Sequence, residues 1–142
     1  MPSDIRSDLV NAVLEWERKF GVAPSITSAI SEFDAALLVG CSQEEYSKVM
    51  RGVTAVQKGF DFKINGLRYQ VKANRPSGKP GSFVTLVGKA RNYDWDFLIW
   101  ILYNPKFEIQ EAWIWDVNSY KNAFDNISRL FPDHMRRGKR LK

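Results

Sequence analysis

A mixed α/β domain, with helices first, then a small sheet, then a closing helix, is the fold this sequence predicts. Three observations predict it. Apolar residues recur at three- and four-residue steps through the first third of the chain, which is the period of a helix. From Phe60 onward the period becomes two. Asn65-Gly66 then sits between two alternating runs, the strongest short hairpin signal available, because both turn residues must adopt positive φ.

The elements follow in order. Residues 4–20 form the first predicted helix: Ile5, Leu9, Ala12, Val13, Trp16 and Phe20 recur at helical steps, and Gly21 suits the position after a helix end. Pro24 and Ser25 are expected to open a second helix with Ala29, Phe33, Ala36 and Leu37 on one face and Gly40 at its end. Ser42-Gln43-Glu44-Glu45 has the spacing of a capping box and predicts a short third helix ending near Gly52. Residues 83–90 fit a short helix, with a strand over 83–87 as the alternative. Residues 96–103 and 108–115 read as buried strands joined through Asn104-Pro105-Lys106, and residues 120–130 as a helix stopped by Pro132. Helices, then a mostly antiparallel sheet, then a helix define the class α+β or mixed α/β.

The 142 residues suit one domain, expected over residues 1–135 with a basic tail over 136–142. Hydrophobic residues at 44% and charged residues at 26% exclude a disordered or collagen-like chain. No apolar run approaches the ~20 residues of a membrane helix, so no membrane partner is expected. The opening residues 1–8 carry early acids and no hydrophobic segment, so no cleaved secretion signal is expected and a cytoplasmic protein is. One cysteine, Cys41, and one histidine, His134, exclude an internal disulfide and any Cys/His zinc cage. A bound metal must therefore be held by oxygen.

The distribution of charge says more than its net value of +5. Arg136, Arg137, Lys139, Arg140 and Lys142 crowd the end of the chain and leave the rest balanced against its 16 acids. Residues 62–93 carry Lys63, Arg68, Lys72, Arg75, Lys79, Lys89 and Arg91 and no acid. Such a block points to a polyanion, since Lys and Arg displace counterions from phosphates. The alternative is a solvated basic face with a disordered tail.

The two-residue turn fixes the hairpin register. Ile64 faces Leu67, Lys63 faces Arg68, Phe62 faces Tyr69 and Asp61 faces Gln70, and opposed residues share a face of the sheet. Phe60, Phe62, Ile64, Leu67, Tyr69 and Val71 then form one apolar face, and a one-residue slip would expose the whole set. The other face presents Asp61 beside Gln70, with Lys72 two residues on. A carboxylate and an amide oxygen are hard ligands of the kind Mg²⁺ accepts alongside water and phosphate. An ammonium beside them suits orienting a water and offsetting charge on a phosphate. The alternative is a solvent-facing hairpin edged with cations.

Gly59-Phe60-Asp61 followed by Gly66-Leu67-Arg68-Tyr69-Gln70-Val71-Lys72 resembles the active-site hairpin of the PD-(D/E)XK nuclease superfamily. Asp61 matches the family's first acid, and Gln70-Val71-Lys72 its acid-or-Gln, any residue, Lys element. The resemblance spans residues 28–103 and implies a restriction-endonuclease-like fold, a small central mixed sheet flanked by helices. It also implies an upstream helix glutamate, a position Glu32 fits; a surface glutamate is the alternative. The implied activity is that of a Mg²⁺- or Mn²⁺-dependent endodeoxyribonuclease leaving a 5′-phosphate. Asp61, Gln70, the Val71 carbonyl and Glu32 would hold the metal, and Lys72 would position the attacking water. Two positions depart from the family pattern: Gln70 removes a negative charge, and Phe60 stands where the family name has Pro.

Asn74, Arg75, Lys79, Lys89 and Arg91 are the candidates to grip a nucleic-acid backbone. DNA is the expected partner, and cutting both strands with a chain this small calls for a homodimer or a second subunit. The competing function is a catalytically inactive nuclease-fold module that binds nucleic acid or a partner, a reading Gln70 makes serious. A protein-binding adaptor with an incidental basic face is the third. Trp95, Trp100, Trp113 and Trp115 suit core filling better than a stacking platform. Asp94, Asp96 and Asp116 suit solvated turns, and neither Cys41 nor His134 has a neighbouring catalytic partner in sequence.

Overall fold

The computed structural model describes residues 4–52 and 59–142; residues 1–3 of the opening segment lie outside it. In chain order the elements are α1 (Ile5–Phe20), α2 (Thr27–Leu38), α3 (Gln43–Arg51), β1 (Phe62–Ile64), β2 (Leu67–Asn74), β3 (Phe97–Tyr103), β4 (Ile109–Asp116), α4 (Val117–Phe124), α5 (Pro132–Met135) and β5 (Lys139–Arg140). The strands form one mixed sheet in the order β1-β2-β3-β4-β5, with β2 parallel to β3 and the other neighbours antiparallel. No described helix is long and apolar enough to cross a membrane.

The sheet is covered on both faces, which is why β3 reads as an uninterrupted apolar run. Its alternate side chains feed two cores. Ile99, Ile101 and Tyr103 pack with residues of α1, α2 and the hairpin, whereas Leu98 and Trp100 pack with Trp95, Tyr120, Phe124 and Leu130. On the first face Phe62, Tyr69 and Phe97 stack in a row across three strands, with centroids 5.1 and 5.7 Å apart. Of the four tryptophans expected in the core, Trp95 and Trp100 are fully buried, Trp115 nearly so and Trp113 half-buried.

Local signals hold at the helix ends. Asp4 caps α1 by accepting the Arg6 N–H, and Gly21 ends it at φ 83. The Ser42 hydroxyl accepts the Glu45 N–H and starts α3 at the expected place. A buried charge then ties the N-terminal half to the sheet. Arg6 donates two bonds to Asp34, at 2.7 and 2.8 Å, and a third to the Phe107 carbonyl, while the Tyr103 hydroxyl donates to Asp34 at 2.6 Å. Burial, then the Asp34 charge, push the Tyr103 phenol well above its usual range.

Five expectations need correcting. Of the stripe that announces α1 only Val13 is buried, joined by Val10, whereas Ile5, Leu9, Trp16 and Phe20 stay exposed. In α2 the buried set is Ile30, Ser31, Asp34, Ala35 and Ala36; of the expected Ala29/Phe33/Ala36/Leu37 face only Ala36 is buried, and the face is rotated because Asp34 turns inward to meet Arg6 and Tyr103. Residues 83–90 form neither helix nor strand, and Val87 makes only an isolated bridge to Leu130. The closing helix begins and ends early, at Val117–Phe124, because Asp116 caps it by accepting the Ser119 N–H; Pro132 opens α5 rather than stopping α4. The terminal basic stretch is folded onto the sheet: Lys139 and Arg140 pair with β4, Ala112 bonds the last two residues, and Arg136 clamps Glu111 and Asp133.

Candidate active site

The site is made where the hairpin ladder stops. The register is the one the Asn65-Gly66 turn dictates, pairing Ile64 with Leu67, Lys63 with Arg68 and Phe62 with Tyr69, with Asn65 at φ 52 and Gly66 at φ 78. Asp61, however, does not continue it by facing Gln70. Its N–H donates to the Tyr69 carbonyl at 2.8 Å, and its Oδ2 accepts the Val71 N–H at 2.7 Å. The side chain thus takes the hydrogen-bonding place on β2 that a longer β1 would fill. Phe60 departs with it, packing into the core opposite the one that holds Phe62. Gly59 makes the bend: it sits at φ 84, and a Cβ there would lie 2.6 Å from the Asp94 Cβ.

Ending β1 at Phe62 leaves the rest of β2 with an open edge. In a strand the N–H and C=O of one residue point to the same edge, so the Val71 carbonyl faces the side on which Asp61 captures the Val71 N–H. The first two turns of α2 lie against this edge. Together they enclose a cleft of about 280 Å³ lined by Thr27, Ser28, Ser31 and Glu32 from α2, Asp61, and residues 70–73 of β2. Glu32, Asp61, Gln70 and Lys72 therefore meet in one place, although only the last two share a strand.

Glu32 and Asp61 line the cleft together and act on each other's titration. Burial first, and the Asp61 charge second, push Glu32 up to about 7. Burial also raises Asp61, but the Val71 N–H, Glu32 and the Lys72 charge all pull it back. The two carboxyls titrate as a pair, and the Val71 N–H and the Lys72 charge favour the ionised form of Asp61. Lys72 runs over Gly88, where a Cβ would stand 3.6 Å from the Lys72 Cδ.

Among the described residues no group of three or more His, Cys, Asp or Glu side chains converges. The oxygen donors of the cleft are two carboxylates, the Gln70 amide and the Val71 carbonyl. All are hard ligands, and two carboxylates supplemented by neutral oxygens and water suit Mg²⁺.

The candidate backbone-gripping residues are not brought together. Arg75 is buried in a bridge to Glu17 and also donates to the Pro105 carbonyl. The Lys79 ammonium donates to Gly21, and Lys89 to the carbonyls of Asp125 and Ile127 beyond the end of α4. Asn74 accepts from the Trp100 indole and donates to the Leu86 carbonyl. Arg91 is exposed. Four of the five thus help hold the fold, because loops between strands need donors for their carbonyls. Asp96 likewise serves the fold by accepting the Arg68 N–H and pairing with its guanidinium.

Sequence reasoning missed Thr27, Ser28 and Ser31, which share the cleft with Glu32. Their signal is visible afterwards: Thr27 with Ser31 and Ser28 with Glu32 are each four apart, so all four stand on one side of the helix start. Tyr46 of α3 was also missed. It packs edge-on against Phe33 and Phe62, and burial, then the charges of Glu32 and Asp61, push its phenol up to about 12.

Searched against known protein families and against curated proteins, the chain matches none.

Proposed function

We propose that this cleft is the active site of a metal-dependent nuclease of the restriction-endonuclease-like kind, hydrolysing phosphodiester bonds of DNA. The observation that carries the reading is the meeting of Glu32, Asp61, Gln70 and Lys72 in one polar cleft, from a helix, a strand end and a strand. Two features support it further. A half-buried acid pair is destabilised without a counter-cation, and a bound divalent ion relieves it. The α2 start beside the cleft has no side-chain cap, which leaves its first N–H groups for an anion.

Asp61, Glu32, the Gln70 amide oxygen and the Val71 carbonyl would hold Mg²⁺ or Mn²⁺. Bound there, the ion supplies Lewis acidity toward phosphate oxygens and a more acidic water. The rest belongs to the chain. The Val71 N–H fixes the Asp61 carboxylate, Lys72 positions the attacking water and balances charge gathering on the phosphate, and the Thr27 and Ser28 hydroxyls offer donors to its free oxygens. Water oxygen bonds to phosphorus as the bond to the 3′ oxygen breaks, giving a 5′-phosphate and a 3′-hydroxyl.

Gln70, which removes a negative charge from the oxygen donors, favours a second reading, a silent module that binds nucleic acid without cutting it. Incubating supercoiled and linear DNA with Mg²⁺ or Mn²⁺ separates the two. Metal-dependent cleavage that falls at least ~100-fold in Lys72→Ala is the expected result. Binding without cleavage by the wild-type chain would leave the silent module standing and remove the enzyme.

A further inference from the structure

We propose that α1 is the twofold interface of a homodimer, formed by antiparallel packing of its exposed apolar stripe against the same stripe of a second copy. Ile5, Leu9, Ala12, Trp16 and Phe20 fall within one narrow arc of the helix, beside the Val10/Val13 face already buried in the core. Nothing among the described residues covers that stripe: Ile5 is 74%, Trp16 53% and Phe20 63% exposed. Isolated surface hydrophobes are ordinary, but a continuous row of large ones along four turns is not.

The stripe is complementary to itself. At its C-terminal end Trp16 and Phe20 form a protruding aromatic pair, with centroids 4.7 Å apart. At its N-terminal end lies an apolar groove of about 210 Å³, lined by Ile5, Leu9, Ala29, Ile30 and Phe33 with Arg6. Knob and groove on one face, at opposite ends, define an isologous contact: a twofold axis seats each knob in the other copy's groove and closes the assembly at two. Antiparallel pairing centred between Ala12 and Val13 sets Phe20 against the partner's Ile5 and Trp16 against the partner's Leu9. The small Ala12 falls at the crossing, where two backbones must come close.

Charge agrees with this direction. Asp8 flanks the stripe in the first turn and Lys19 flanks the same edge in the last, so antiparallel copies bring the acid of one helix to the ammonium of the other. The apolar area is sufficient as well. Scaled by the area a full side chain offers, the stripe leaves roughly 500 Å² bare per chain, so two copies together present the ~1,000 Å² total of a specific interface.

Sedimentation velocity of the full chain from ~1 to ~100 µM tests this, with a dimer fraction that rises with concentration as the expected result. Trp16→Glu should weaken dimerisation by at least ~30-fold with the melting curve unchanged, and Ala12→Glu gives the same readout should the first variant not fold. Phe131→Glu, at an exposed residue beside α5 on the opposite side of the sheet, should leave the dimer intact. Under mild oxidation Ala12→Cys should form a covalent dimer and Glu15→Cys should not, with the buried Cys41 taking no part. A wild-type chain monomeric throughout, a dimer indifferent to Trp16→Glu and Ala12→Glu, a dimer lost in Phe131→Glu, or equal cross-linking at positions 12 and 15 would overturn the proposal.

Discussion

Replacing Glu32 by Gln is expected to stabilise the metal-free protein at about pH 8 and to leave it unchanged below about pH 4. The reason is the carboxyl pair. In the folded chain Glu32 holds its proton up to about 7, whereas the ordinary value for an unfolded glutamate is 4.5. Below 4.5 both states carry the proton and nothing is lost. As pH rises toward 7 the unfolded chain releases its proton while the folded one still binds it, so stability falls through that window and levels off above it. A displacement of that size corresponds to at most ~3 kcal/mol. Because Glu32 is only half buried and Asp61 draws support from Val71 and Lys72, about 1–2 kcal/mol is the measurable part. Gln keeps the shape but carries no charge to bury. For a chain of this length the gain is a rise in Tm of about 3–8 °C at pH 8. Thermal melts across pH 4–9 with circular dichroism read it directly. In the wild type, millimolar Mg²⁺ should raise Tm above pH 7, and Glu32→Gln should lose most of that rise. A gain independent of pH, or no gain at all, would refute a coupled carboxyl pair at this site.

Three further outcomes follow from the same structure. Asp34→Ala should cost about 3–5 kcal/mol, seen as a lower denaturation midpoint, because it strands the Arg6 guanidinium and the Tyr103 hydroxyl in the protein. Arg75→Ala should lower stability by about 2 kcal/mol while leaving DNA affinity unchanged, whereas Arg91→Ala should weaken DNA binding and reduce the salt slope by about one; fluorescence anisotropy across a salt series separates the two. Gln70→Glu should tighten Mg²⁺ binding about tenfold by calorimetry, since it restores a charge among the oxygen donors of the cleft.

Much of this architecture is legible in the sequence because it is local. Asn65-Gly66 fixes the hairpin register through the φ values its two residues must adopt, Ser42 and Glu45 mark a helix start, and the uninterrupted apolar run 97–103 announces a strand covered on both faces. Gln70 and Lys72 share a face for the same reason. The place where β1 ends is not local. The bend at Gly59 depends on Asp94, 35 positions away, and it turns Asp61 from a cross-strand neighbour of Gln70 into a cap on the Val71 N–H.

Glu32 joins the site only because α2 packs beside that open edge, and α2 is rotated by a buried ion pair between residues that nothing in the sequence links. The same dependence on distant partners decided the fate of the charges. A lysine or arginine in a loop looks identical in sequence whether it faces solvent or satisfies a carbonyl, so the basic block read as a single phosphate-binding surface. Folding engages Arg75, Lys79 and Lys89 within the chain. Residue types and periods settle which segments can be helix or strand and which side chains have the chemistry for a site. Which of those side chains meet, and which are already taken, is settled by tertiary packing, because a hydrogen bond or a buried charge is defined by two partners and the sequence displays them one at a time.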